Sequence, residues 1–130
     1  MTNRELNQLY WLNREIARDK QRLQELIAAA TDTSSKITGL PHASGVSDKT
    51  ALAVEIAYLK GVIESKIQQS YYEYNRLITY INSIEDSYIR QILTLRYVNG
   101  LSWQQIAHHM GGGNTSDGVR MACNRYLRSH

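Results

Sequence analysis

The side chains best suited to recognition chemistry crowd into one short stretch, SDGVRMACNRYLR, residues 116–128. Arg120 and Asn124 stand four residues apart, so a helix here would put them on one face. A guanidinium and a carboxamide are the two groups whose paired hydrogen-bonding atoms match guanine and adenine edges, respectively. If Val119, Tyr126 and either Cys123 or Ala122 turn inward, then Ser116, Asp117, Arg120, Met121 and Asn124 turn outward together as candidate base contacts. Arg96, Ser102, Gln104, Thr115, Arg125 and Arg128 flank that face as candidate phosphate contacts, which orient a protein without reading sequence.

Other chemistries find less to work with. A phosphate-cradling loop needs a glycine frame ending in Gly-Lys-Ser/Thr after a strand, and the run Gly111–Gly113 has neither the lysine nor the strand pattern. His108 and His109 are adjacent, so a helix would point them to different sides, and no cysteine or carboxylate joins them at ligand spacing. Cys123 has no adjacent base and falls on the packed side of its helix. Tyr71, Tyr72, Tyr74 and Tyr80 suit stacking on unpaired bases, but amphipathic helix-interface positions explain them better, with Tyr74 on the apolar seam. The expectation is a non-enzymatic protein with no cofactor and no metal.

These residues must be held by short helices. Residues 84–98 carry Ile89, Ile92, Leu93 and Tyr97 at helical spacing and stop at Asn99-Gly100. Ser102 and Gln105 then form an S-x-x-Q capping box, with Leu101 and Ile106 as its hydrophobic staple. A short helix buries Ile106, Ala107 and Met110, Gly111 ends it, and Asn114 or Thr115 caps the next helix, residues 116–128. The glycines therefore read as the turn of a helix-turn-helix.

Two longer helices precede this tail. Leu9, Leu12, Ile16, Leu23 and Leu26 form one apolar stripe, interrupted by Asp19. Leu52, Ile56, Leu59, Ile63, Tyr74, Leu77 and Ile81 form a second, with Lys66 and Ser70 as its polar breaks. Helices of roughly 42 and 48 Å cannot bury such stripes inside a small globule, so they pack on each other or on a partner. Residues 31–48, with Pro41, Gly39 and Gly45, read as a flexible loop. Pairing within one chain and pairing between two chains of a homodimer both fit. The expected fold is all-α: a long two-helix, coiled-coil-like region over residues 1–82, followed by a trihelical helix-turn-helix domain over 83–130.

Composition permits this reading without compelling it. A length of 130 residues fits one domain with an elongated appendage, and the net charge of +3 hides a local excess. Beyond residue 86, Arg90, Arg96, Arg120, Arg125 and Arg128 face a single acid, Asp117. Arginine suits bidentate contacts to phosphate and guanine better than lysine does. One cysteine and the lack of a leader or membrane-length apolar run point to a cytoplasmic protein that does not engage membranes.

RQILTLRYVNGLSWQQIAHHMG, with Leu95-Arg96-Tyr97, Gly100-Leu101-Ser102 and Ile106-Ala107, resembles the start of sigma-factor region four, the trihelical promoter-binding domain. The whole layout, down to GGGNTSDGVRMACNRYL, is similar to small phage-encoded sigma-like regulators of Gram-positive bacteria and their prophages, including autolysin-regulator-like proteins. That resemblance implies sequence-specific binding of double-stranded DNA, regulation of late phage genes, and RNA polymerase as a second partner. The turn GGGNT is longer than the usual sigma version, and Gly118 stands where those proteins often carry a charge. Two other classes fit the same layout: a DNA-packaging adaptor like a phage small terminase subunit, and a coiled-coil protein-interaction module.

Overall fold

The computed structural model describes residues 1–32 and 45–130. Among them every regular element is helical and no strand forms, as the apolar periodicities require. Helix α1 (Asn3–Leu6) passes through Asn7 into α2 (Gln8–Asp32), and α3 (Gly45–Asn82) follows. The chain then forms α4 (Ser87–Leu93), a π turn (Thr94–Val98), α5 (Trp103–Met110) and α6 (Ser116–Ser129). Of the loop expected over 31–48, residues 33–44 lie outside the described residues, while α2 and α3 take up its two ends.

Packing divides the described chain into two units. The first, Arg14–Gln69, is made of segments of α2 and α3. Its apolar stripes are buried at Ile16, Leu26 and Ile63 and half-buried at Leu23, Leu52, Ile56 and Leu59. Two of the three residues that break those stripes in the sequence, Asp19 and Lys66, are partners in space. Lys66 Nζ lies 2.6 Å from Asp19 Oδ2 and 3.5 Å from Glu15 Oε1. Its hydrogen bond to Asp19 raises the Lys66 ammonium above its ordinary value, against the lowering effect of burial. Arg22 Nη2 and Glu55 Oε1, 3.6 Å apart, add a second, more exposed tie between the same helices. These ion pairs bring α2 and α3 together within this chain.

The second unit comprises Met1–Asn13 and Ser70–His130. Its core joins Ile92, Leu93, Ile106, Val119 and Cys123, all fully buried, to Leu6 and Leu9 from the N-terminal helices and to Leu77 and Ile81 from α3. The compact head is therefore larger than the 83–130 segment expected from sequence. The physical reason is area: α4, α5 and α6 are 7, 8 and 14 residues long, too short to cover one another's apolar faces unaided. Tyr97 makes the longest tie, donating its hydroxyl to Asn3 Oδ1 at 2.9 Å. Glu5 and Thr2 form a capping box that starts α1 and seats Leu6.

Three local expectations are revised. The helix expected from Ile84 begins only at Ser87, because the Asp86 side chain accepts from Tyr88 N–H at 2.9 Å and caps it there. Ile84 is still buried, from the linker, where Arg90 Nη1 donates to the Ile84 and Glu85 carbonyls. The same helix does not run regularly to Val98: Asn99 N–H reaches back to Thr94 O at 3.0 Å, a five-residue π turn. Tyr74, expected on the apolar seam, is 43% exposed and stands with the exposed Tyr71 and Tyr72.

Candidate nucleic-acid interface

The entry to α5 follows from its sequence. Gln105 N–H donates to Ser102 Oγ at 3.2 Å, and Ser102 N–H donates to Gln105 Oε1 at 2.9 Å, so both halves of the capping box form. Ile106 is fully buried and Leu101 packs at the edge of the same core, as a staple requires.

The exit from α5 explains the glycines. Gly111, Gly112 and Gly113 have φ of 65°, 57° and 81°, three consecutive left-handed residues. Side chains there would cost about 1–2 kcal/mol each, so the run reverses the chain through backbone conformations that favour glycine. The turn is also pinned. Asn114 Nδ2 donates to Gly111 O at 2.6 Å, while Asn114 Oδ1 accepts the hydroxyl of Tyr88 on α4 at 2.8 Å. Thr115 then caps α6, its Oγ1 accepting Gly118 N–H at 3.0 Å. A Cβ at position 118 would stand 2.9 Å from that oxygen, so glycine at this position protects the cap.

On α6, Val119 and Cys123 face inward with no exposure, and Ala122 and Tyr126 are half-buried. Asp117, Arg120 and Met121 are exposed and Asn124 is half-buried, on a common outer face at helical spacing; Ser116 is half-buried at its edge. Arg120 Nη2 lies 3.4 Å from Asp117 Oδ1, an exposed pairing too weak to withhold either side chain from a ligand. Arg125 and Arg128 are exposed further along the helix, and Gln104 is exposed on α5. Ser102 and Thr115 are exposed as well, although their oxygens already accept the capping hydrogen bonds.

Arg96 is differently occupied. Its guanidinium lies 4.4 Å from the centre of the Trp103 ring, and Nη1 donates to Leu101 O at 3.0 Å, which ties the π turn to the entry of α5. Sequence reasoning did not find this brace, since nothing in the spacing of an arginine and a tryptophan announces their stacking. Nor did it find that Asn7, Tyr10 and Trp11 line a concavity together with Arg96, Gly100, Ser102 and Gln105.

Burial pushes the Cys123 thiol above its ordinary value, and burial beside Cys123 does the same to the Tyr97 phenol. Among the described residues, no three His, Cys, Asp or Glu side chains converge to hold a metal ion, and no helix is long and apolar enough to cross a membrane. Comparison with family models, curated proteins and solved structures finds no match for the chain.

Proposed function

We propose that the chain is a sequence-specific duplex-DNA-binding transcription regulator in which α5, the glycine turn and α6 act as a helix-turn-helix. The observation that carries this reading is the outer face of α6. Asp117, Arg120, Met121 and Asn124 share it without serving the core, beside a turn held rigid by Asn114. In such a unit the second helix enters the major groove and the first crosses the backbone. Arg120 then reads guanine and Asn124 adenine, with Ser116, Asp117 and Met121 around them. Gln104, Arg125 and Arg128, with the hydroxyls of Ser102 and Thr115, meet phosphates. Arg96 contributes mainly by fixing the angle at which α5 meets the backbone.

The cellular role follows from the likeness to small phage and prophage sigma-like regulators: activation of late genes through recruitment of RNA polymerase. A homodimer would present two heads to two half-sites. Because Ile16, Leu26 and Ile63 are already covered within the chain, a second copy needs another face, and Val54 and Tyr58, 64% and 72% exposed, offer one on α3.

Selection of bound duplexes from a random pool, followed by titration across salt concentrations, tests the proposal. Arg120→Ala should relax preference at one base position by about 1–3 kcal/mol. Arg128→Ala should weaken all sequences alike and reduce the log–log salt slope by about one. A uniform loss in Arg120→Ala would demote that residue to a phosphate contact. Failure of the native chain to bind any duplex in a salt-sensitive manner would sink the function altogether.

A further inference from the structure

The concavity beside the entry of α5 has a volume of about 470 Å³ and is lined by Asn7, Tyr10, Trp11, Arg96, Gly100, Ser102 and Gln105. Its lining contains one cation and no acid. The unspent hydrogen-bonding capacity is mostly donating. The Gln105 side chain uses its oxygen on Ser102 N–H, which leaves its NH2 group. Ser102 accepts through Oγ, which leaves its O–H. Arg96 spends Nη1 on Leu101 O, which leaves the far edge of the guanidinium. Trp11, 60% exposed and edge-on to Tyr10 with ring centres 5.1 Å apart, brings an indole N–H. Asn7 is the counterweight: its amide hydrogens go to Asn3, which leaves one acceptor oxygen.

We propose that this concavity is a second nucleic-acid contact, seating a backbone phosphate and its sugar next to the bases met by α6, with Trp11 packed on the sugar and donating to the phosphate. The inference rests on the DNA-binding reading and extends its footprint to the N-terminal helices. Three features favour a phosphodiester as the occupant. A donor-rich, acid-free lining suits a singly charged anion with several acceptor oxygens. The exposed indole offers an apolar wall for a deoxyribose. The start of the first helix of a helix-turn-helix is where the duplex backbone passes. The π turn contributes by carrying Tyr97 into the core while leaving Arg96 at the cavity rim.

Full-length native protein, Trp11→Phe, Trp11→Ala and Arg120→Ala are titrated with a duplex selected by the native chain, with tryptophan emission and affinity both recorded. Native emission should change on binding, and most of that change should vanish in Trp11→Phe. Trp11→Ala should weaken binding about fivefold, the worth of one hydrogen bond with its packing, with base preference and thermal midpoint unaltered. If Trp11→Ala binds like the native chain while Arg120→Ala loses preference, the second contact is wrong and the DNA reading survives. If the native chain binds no duplex, both fall. If poly-glutamate changes Trp11 emission as effectively as the duplex does, the concavity belongs to an acidic protein partner instead, and the proposal is overturned.

Discussion

The two units of the molecule are held together by different physics. In the head, Met1–Asn13 with Ser70–His130, side chains from every element converge on an apolar centre in which Leu6, Ile92, Leu93, Ile106, Val119 and Cys123 are wholly buried. Among the described residues of the paired-helix unit, Arg14–Gln69, only Ile16, Leu26 and Ile63 are buried, and Lys66, Asp19, Glu15, Arg22 and Glu55 supply the named ties between helices. The contrast separates two jobs. A converging core fixes a surface such as α6 in one geometry, because its members are close-packed and cannot shift independently. A two-helix stripe can slide, since each apolar position resembles the next, and the Lys66–Asp19 pair is the closest of the ion pairs that distinguish one register from its neighbours.

The sharpest way to break the contrast is a matched pair of deletions. Ile92→Ala in the head should cost about 3–4 kcal/mol, and Ile63→Ala in the paired helices about 2, because a two-layer site collapses around the lost atoms more readily. Denaturant unfolding of both variants measures the difference, and equal losses would erase the distinction. Lys66→Ala comes next, at about 1–2 kcal/mol, since it leaves Asp19 half-buried without its main partner. The double variant Asp19→Leu/Lys66→Leu should regain that loss but populate more than one oligomeric state, visible in sedimentation. The sign of the Lys66 shift adds a pH signature. Its contribution is complete below the ordinary lysine value of 10.5 and disappears as pH rises through the higher folded value.

Smaller effects probe the head alone. The Tyr80 hydroxyl is buried without a hydrogen-bond partner among the described residues, and burial raises its phenol above the ordinary value. Tyr80→Phe should therefore stabilise the head by about 1 kcal/mol, read as a higher thermal midpoint; a lower midpoint would mean that the hydroxyl has a use. The least effect is expected at Glu5. Its hydrogen bonds to the Thr2 backbone and side chain hold the carboxyl below its ordinary value of 4.5. The cap's contribution is present above that value and is lost as pH falls through the folded one, so the protection factor of the Leu6 amide, corrected for the slower intrinsic exchange in acid, should fall before that of the rest of the core.

What could be read from the sequence was local. The Ser102 box, the glycine stops at Gly100 and Gly111, and the inward turn of Val119 with either Cys123 or Ala122 all follow from neighbours within four residues, and the structure buries Val119 and Cys123. The apolar stripes were visible for the same reason, and so were Asp19 and Lys66 as exceptions to them, although nothing in the spacing said that the two exceptions meet. The unread parts depend on distance along the chain. Tyr88 reaches Asn114 across 26 positions and Tyr97 reaches Asn3 across 94, and pairings of that kind leave no periodic trace. The same holds for the candidate interface: the outer face of α6 could be drawn from helical spacing, whereas the stacking of Arg96 on Trp103 and the approach of Trp11 to α5 could not.

The bond between Tyr97 and Asn3, together with the presence of Leu6 and Leu9 in the head core, has a consequence for the order of events at synthesis. The paired-helix unit is spliced into the middle of the head's own sequence, so the head residues that precede it wait for those that follow it. Helical local contacts let α2 and α3 form early, but the head can close only once Val119 and Cys123 have emerged, a ring of high contact order in an otherwise fast-forming molecule. Replacing the intervening residues by a short spacer should hasten that closure.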